Sequence, residues 1–261
     1  TSFFNFKEDS GTQHFAGHRT GCWVNAIPAN GLVMVPESSA GCVCLFSIAS
    51  TITFEPRAER SPWTIYSLVG DHLPVKQMHL NLGAPGDRRD ANGTVWLGYP
   101  RPAPSRETSL DYRLDLADQF VESGKYEDFN PEFVELRAEE PKWIYASYGT
   151  GLTGLTIPLL REEDAARSYE VKLHFATPSL IDANDDLVFD VKINGEVVAA
   201  NVELKPTSQS EFINGETIDI PAVNITRDLQ LEFVPQGSSA AKNLRLSAIE
   251  LKAIDATAKS E

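Results

Sequence analysis

Two histidines near the start of the chain have a spacing that is found in metal sites. His14 and His18 are four residues apart, which on a helix would place both imidazoles on one face. Gly17 and the β-like pattern around it disfavour a helix. We therefore expect no metal site at these histidines.

The three cysteines, Cys22, Cys42 and Cys44, fall in the first part of the chain. Three thiolates could bind zinc, but the C-x-C spacing differs from the C-x₂₋₄-C of structural zinc sites and no fourth ligand is nearby. We predict a disulfide between Cys22 and either Cys42 or Cys44, which leaves one thiol over. Three inert buried thiols are the alternative.

The run Asp182-Ala183-Asn184-Asp185-Asp186 places several oxygen ligands within a few residues. This is typical of a hard-cation loop, although the spacing and the glycine of an EF-hand are absent. Calcium at Asp182, Asp185 and Asp186 is thus the one cofactor that the sequence suggests, with a plain acidic loop as the alternative. The sequence has no phosphate loop, no G-x-S-x-G and no H-E-x-x-H, so we predict no catalytic residues.

Aromatic residues form the more informative pattern. In residues 86–99 and in residues 143–149, polar groups flank aromatic rings near a predicted strand end. Sugars stack their C–H faces on rings and bond their hydroxyls to planar polar groups. The candidate ligand-binding residues are the rings of Tyr148, Tyr145 and Trp96 and the polar groups of Asp87, Arg88 and Arg89. Tyr148, beside two glycines, is the ring that we expect on a loop rim. For Tyr145 and Trp96, the alternative is that their rings are part of the hydrophobic core.

Strand patterns dominate the elements that must position these residues. Residues 169–175 and 187–193 alternate apolar and polar side chains, which predicts one face in a core and one in water. Asn194-Gly195 between two apolar runs predicts a hairpin with a type I′ turn. The sequence predicts an all-β sandwich. We expect residues 100–140 to be an irregular excursion, anchored by Phe120, Tyr126, Phe129 and Phe133.

Composition limits the partners. The 261 residues carry a net charge of -14, which repels phosphate backbones and anionic lipids, so we predict no nucleic-acid partner. No apolar run is long enough to span a bilayer. The chain begins without Met and without a signal-peptide layout, so we expect it to be a piece of a longer protein.

A change in cysteine usage divides the chain. We predict an N-terminal β segment at residues 1–60, a linker at 61–72, a sandwich at 73–255 and a disordered tail at 256–261. The polar, proline-bounded residues 56–62 mark the boundary.

The sandwich region resembles the malectin-like carbohydrate-binding domains over residues 73–254. The motifs are Leu80-Asn81-Leu82-Gly83, then residues 92–96, 169–176, 188–195, 229–234 and 246–251, in the family's order and spacing. The resemblance implies a jelly-roll sandwich with a ligand cleft at one end, and it matches the malectin ligand tyrosine to Tyr148. The aromatic pair of malectin falls here on Pro178 and Ser179, and its aspartate near Ala241, so the resemblance does not imply the same sugar specificity.

The first 60 residues resemble the C-terminal blade region of bacterial PQQ-binding-like β-propeller proteins. Residues 18–32, with Gly21-Cys22-Trp23, and residues 36–44, ending in Gly41-Cys42-Val43-Cys44, carry the likeness. The resemblance implies an exported protein, periplasmic or extracellular, which suits a disulfide. A blade cannot bury its faces alone, so a missing propeller part or a partner chain is expected.

These observations together predict a non-catalytic module that binds a carbohydrate or cell-surface glycan. One alternative is a docking module that packs on a propeller or partner chain and binds no sugar. Another is an accessory fragment of a quinoprotein-like or glycan-active enzyme whose active site lies upstream.

Overall fold

The computed structural model describes residues 2–4, 6–7, 12–14, 26–36, 51–56, 63–64, 72–101, 114, 116–178, 187–204 and 212–254. The chain forms two compact units, Thr1–Arg60 and Ser61–Glu261. Within these described residues, no helix is long and apolar enough to cross a membrane.

The described residues of the first unit form two small antiparallel sheets. Strand β1 (Ser2–Phe4) pairs with β2 (Thr12–His14), and β3 (Ile27–Ala29), β4 (Leu32–Val35) and β5 (Ile52–Phe54) form a three-stranded sheet. Asn30 and Gly31, both with positive φ, make the tight turn between β3 and β4. His14 lies in a strand, as the sequence pattern indicated.

The described part of the second unit is built mainly from strands. Its strands are β6 (Gln77–Leu82), β7 (Arg88–Arg89), β8 (Val95–Tyr99), β9 (Ala117–Asp128), β10 (Glu135–Arg137), β11 (Ser147–Pro158), β12 (Arg167–Pro178), β13 (Leu187–Ile193), β14 (Glu196–Leu204), β15 (Phe212–Ile225), β16 (Asp228–Pro235) and β17 (Arg245–Ala253). Two short helices interrupt them: a 3₁₀ helix, Lys142–Ala146, and α1, Ser238–Asn243. The predicted all-β sandwich is confirmed.

One continuous hydrogen-bonded network connects these twelve strands. Its main path runs β10-β15-β12-β17-β11-β16-β13-β14, with β6 on β17, β8 on β6, β7 on β8 and β9 on β11. Pairing is antiparallel except between β10 and β15 and between β6 and β8. β11 pairs with three strands, β9, β16 and β17, so this one strand connects the layers of the sandwich.

The main core lies between the layers and is built from the apolar sides of the alternating strands. Tyr169, Leu173 and Phe175 of β12 face Phe189 of β13 and Phe233 of β16, and the three phenylalanine rings lie 5.3–5.9 Å apart. Burying each such ring stabilises the fold by about 1.5–3 kcal/mol. The alternation read from the sequence therefore identifies this core face correctly.

The Asn194-Gly195 hairpin is confirmed. Both residues have positive φ, 51° and 83°, and they connect the paired strands β13 and β14. The amide of Asn194 donates to the carbonyl of Gln230 at 2.9 Å, which ties the turn to the neighbouring β16.

The excursion predicted at residues 100–140 is more regular than expected. β9 is a twelve-residue strand within it, paired with β11 along most of its length. The sequence of β9 shows no alternation of apolar and polar residues, because charged residues lie on both faces of the strand. Backbone hydrogen bonds to β11, rather than burial of side chains, keep β9 in the sheet. Phe120 and Tyr126 pack on the main core as predicted, whereas Phe129 is 44% and Phe133 is 85% exposed.

Candidate functional site

A second apolar cluster covers the face of the sheet opposite the main core. The 3₁₀ helix lies on this face, and its Ile144 and Tyr145 are buried there together with Trp96 from β8, Tyr148 from β11 and Ala248 from β17. A sheet that packs only one face against a core would leave these residues exposed to water. Here both faces of the sheet are packed, so residues that the sequence pattern assigned to the water-exposed face are buried.

The three rings predicted to stack on a sugar all lie inside this second cluster. Tyr148, Tyr145 and Trp96 are only 3%, 1% and 2% exposed, and burial raises the pKa of both phenols. Tyr148 lies in β11, so the expectation that it occupies a loop rim is wrong. Its ring is further covered by Phe129, at a centroid distance of 6.0 Å, and by Arg245 at 5.7 Å.

Asp87 is an internal anchor in this structure. It is 1% exposed, and its Oδ1 accepts from the Gly98 amide at 2.9 Å and from Arg101 Nη1 at 2.8 Å. Arg101 Nη2 donates to Oδ2 at 3.2 Å, which makes the pair bidentate. Its backbone also pairs with Thr64, at 2.8 and 2.6 Å. Thr64 lies within the predicted 61–72 linker, so part of that segment belongs to the second unit.

Arg88 and Arg89 occupy opposite sides of the short strand β7, because consecutive strand residues point to opposite faces. Arg89 is exposed, and its Nη1 donates to the carbonyl of Gly93 at 2.8 Å within the same hairpin. Arg88 is half-buried against tryptophan rings. Of the two arginines, only Arg88 therefore joins an aromatic surface.

Trp63, Arg88 and Trp143 form what we call the tryptophan–arginine cluster. The guanidinium carbon of Arg88 lies 5.1 Å from the Trp63 ring centroid and 4.8 Å from that of Trp143. The two rings are perpendicular, with centroids 5.6 Å apart and an interplanar angle of 88°. Both tryptophans are half-buried.

The cluster is held from behind by Trp96. Its ring lies edge-on to Trp143 at 6.2 Å, and its indole N–H donates to Asp90 Oδ2 at 3.3 Å. Trp96 is also the backbone partner of Arg88 in the β7–β8 pair. Trp96 thus contacts Trp143 and pairs through its backbone with Arg88, and it positions these two members of the cluster.

A polar network adjoins Trp96 on the same face. His174 Nε2 donates to Glu250 Oε1 at 2.8 Å, because an ionised carboxylate can only accept. In the neutral imidazole, His174 Nδ1 then accepts from the Tyr145 hydroxyl at 2.8 Å. His79 Nδ1 lies 3.3 Å from Glu250 Oε2. Burial alone would raise the pKa of Glu250, but the histidines hold that pKa well below its ordinary value.

This network is not arranged as a metal centre. Both nitrogens of His174 are already used, one for Glu250 and one for Tyr145. In the part of the chain that the structure describes, no three His, Cys, Asp or Glu side chains converge on a common metal position. The calcium candidates Asp182, Asp185 and Asp186 lie outside the described residues, as do Cys22, Cys42 and Cys44.

Sequence reasoning missed Trp63 and left Trp143 out of the candidate residues. Trp63 follows Pro62 in the predicted linker, where nothing local indicates a packed ring. The one available signal was the indole itself, since a tryptophan is costly to leave in a solvated linker.

Comparison with known proteins gives distant structural likeness. No family model and no curated protein matches the chain. It is similar to β-glucuronidase of Bacteroides uniformis, with 16% identity and a TM-score of 0.48 over 86% of this chain and 27% of that one. It is also similar to the extracellular domain of ANXUR2 from Arabidopsis thaliana, with 16% identity and a TM-score of 0.48 over 69% and 49%.

A third similar structure is the plant receptor-like kinase FER, with 15% identity and a TM-score of 0.43 over 71% of this chain and 44% of that one. The chain thus spans about a quarter to a half of the length of these three proteins. Likeness at this level assigns neither a family nor a ligand, so the malectin-like family stays a prediction.

Proposed function

We propose that the second unit is a non-catalytic carbohydrate-binding module of the malectin-like kind, and that the sugar contacts the tryptophan–arginine cluster. The observation that carries the proposal is the perpendicular pair of half-buried indoles with a guanidinium held against both. A pyranose can place its C–H face on one ring while its hydroxyls accept from Arg88.

Rigidity supports this choice of surface. Trp143 extends from the 3₁₀ helix, Arg88 from β7, and Trp63 sits beside the Thr64–Asp87 backbone pair. Side chains fixed in this way lose little rotamer freedom on binding, so more of the contact energy appears as affinity. Tyr148 and Tyr145, which are buried, would act as support beneath the surface.

The proposal is tested by glycan-array screening followed by titration calorimetry on Trp143→Ala, Trp63→Ala and Phe6→Ala. Phe6 is a 90% exposed ring in the first unit and serves as the matched control. We expect each tryptophan variant to weaken binding at least about tenfold, equivalent to about 1.4 kcal/mol, with Phe6→Ala unchanged. Thermal melting checks that each variant is folded. Wild-type affinity in both folded tryptophan variants would refute this surface.

The docking alternative is favoured by a separate observation in the first unit. Ile27, Leu32 and Met34 are 45%, 38% and 42% exposed. Ile27 is directly opposite Met34, and Leu32 lies two residues before Met34, so the three share one face of the β3–β4 pair. An apolar face of this kind suits a protein contact.

The docking partner that we propose is the polypeptide encoded directly upstream, as the propeller resemblance and the predicted export suggest. Co-expression with that polypeptide should give co-elution in size-exclusion chromatography that Met34→Asp abolishes. If the two polypeptides elute separately, the docking role fails. The upstream sequence would also reveal whether the parent protein carries the active site of an enzyme.

A further inference from the structure

The guanidinium of Arg88 makes no direct salt bridge to a described carboxylate, unlike those of Arg101 and Arg137. Arg101 pairs with Asp87 at 2.8 Å, and Arg137 pairs with Glu135 at 2.7 Å. Among the described residues, no carboxylate lies within salt-bridge distance of Arg88. Its Nε is shielded from solvent and has no hydrogen-bond acceptor.

This isolation is energetically unfavourable for a cation. Burial lowers the pKa of Arg88 from its ordinary value, and the Glu132 carboxylate offsets this only in part. The two indole faces provide some compensation through cation–π attraction. They cannot accept the N–H bonds that a planar guanidinium directs at its edge.

We infer that the saccharide bound at the tryptophan–arginine cluster is acidic, and that its carboxylate or sulfate accepts hydrogen bonds from Arg88. This inference rests on the proposed function, because it names the class of sugar for the same surface. An anionic group there supplies a hydrogen-bond acceptor and a directly bonded anion, while the sugar ring stacks on an indole. Charge-assisted bidentate bonds of this kind are about twice as strong as neutral ones.

Because the chain as a whole is negatively charged, we expect it to attract an acidic group only at the tryptophan–arginine cluster. At -14, the molecule as a whole repels polyanions. An acidic glycan should therefore bind through this cluster, and a polyanion that lacks a stackable sugar face should not bind. Polyphosphate provides that negative control.

The experiment uses matched disaccharide pairs that end in glucose or glucuronic acid and in galactose or galacturonic acid, with a 6-sulfated member for each pair. Titration calorimetry compares the wild type with Arg88→Gln, Arg88→Lys and Arg227→Gln. Arg227 is an exposed residue in the turn between β15 and β16, so its variant has the same charge change elsewhere. Melting temperature reports whether each variant is folded.

We expect the wild type to bind at least one acidic sugar tenfold or more tightly than its neutral partner. Arg88→Gln should abolish that preference, Arg88→Lys should keep part of it, and Arg227→Gln should keep it all. The carboxylated and sulfated arms identify which anion is recognised. Polyphosphate binding that Arg88→Gln leaves unchanged would overturn the inference.

The failure of the inference and that of the proposed function have different signatures. If neutral and acidic sugars bind equally, with Trp143→Ala still weakening both, the acidic class is wrong and the sugar site stands. If Arg88→Lys and Arg88→Gln keep the wild-type preference for acidic sugars, the assignment to Arg88 is wrong. If no saccharide binds the wild type, the proposed function fails and the inference fails with it.

Discussion

Removing the carboxylate of Asp87 should destabilise the second unit strongly, because the buried guanidinium of Arg101 would lose its bidentate anionic partner. The side chains of Arg101 and Asp87 are only 6% and 2% exposed, and they are joined at 2.8 Å. Breaking one side of a buried pair costs about 3–5 kcal/mol. In a domain of this size each kcal/mol lowers the melting temperature by about 2–4 °C, so Asp87→Ala should lower it by about 6–20 °C.

The double variant separates pairing from packing. Arg101→Met alone removes the bidentate cation from the buried Asp87 carboxylate, which keeps the Gly98 amide, and should also be costly. Asp87→Ala combined with Arg101→Met removes both charges, and apolar replacement of a buried pair is often close to neutral. The double variant should therefore lose at least about 2 kcal/mol less than the two single losses added together. Asp87→Asn keeps an acceptor for the Gly98 amide, so its loss of unfolding free energy should lie between that of Asp87→Ala and that of the double variant.

The free energy of unfolding of all four variants is measured by urea denaturation at pH 7, with far-ultraviolet circular dichroism as the probe. Additive single losses, or a cost below about 1 kcal/mol for Asp87→Ala, would refute the reasoning. The same variants test the sequence-based assignment of Asp87 to the ligand site. A stable Asp87→Ala protein that no longer binds sugar would show that this carboxylate contacts the ligand and is not merely a scaffold.

Two further predictions concern the framework around the site. Gly83 has φ +76°, and a Cβ there would lie 2.5 Å from the Glu127 carbonyl oxygen, so Gly83→Ala should cost about 2–5 kcal/mol in urea denaturation. Gly93 has φ +84° and open space, so Gly93→Ala should cost only about 1–2 kcal/mol; equal costs would contradict the close contact. The pKa of Glu250 lies below 4.5 in the fold: burial alone would raise it, but the hydrogen bond from His174 and the nearby His79 lower it by more. A lowered carboxyl pKa gives stability that is present above about pH 4.5 and is lost as the pH falls toward the folded-state value. Glu250→Gln should therefore lose less unfolding free energy than the wild type between pH 5 and pH 3, and parallel pH profiles would contradict this.

Much of the sandwich could be predicted because its signals are local. A period of two places Tyr169, Leu173 and Phe175 on one side of a strand whatever the rest of the chain does. Asn194-Gly195 forms its turn because these residues tolerate positive φ. β9 escaped prediction because it is held by backbone bonds to β11, and such bonds leave no trace in side-chain polarity.

The candidate site could be predicted only in part. Arg88 and Trp96 were recognised from their types, and the structure places Arg88 in the tryptophan–arginine cluster and Trp96 buried behind it. Tyr148 and Tyr145 were assigned to a ligand cleft, yet the 3₁₀ helix and its neighbours cover them. His174 shows the same effect, since its alternating position predicts water and the structure buries it against Tyr145.

The sequence by itself determined an all-β chain, the positions of its main strands and the side of each strand that faces the main core. Only the tertiary structure decided that the opposite face is also covered, and that Trp63, Arg88 and Trp143 meet. The physical reason is that alternation and turn chemistry act between neighbours along the chain. Contacts between distant segments depend on strand order and register, which exist only once the sheet has formed.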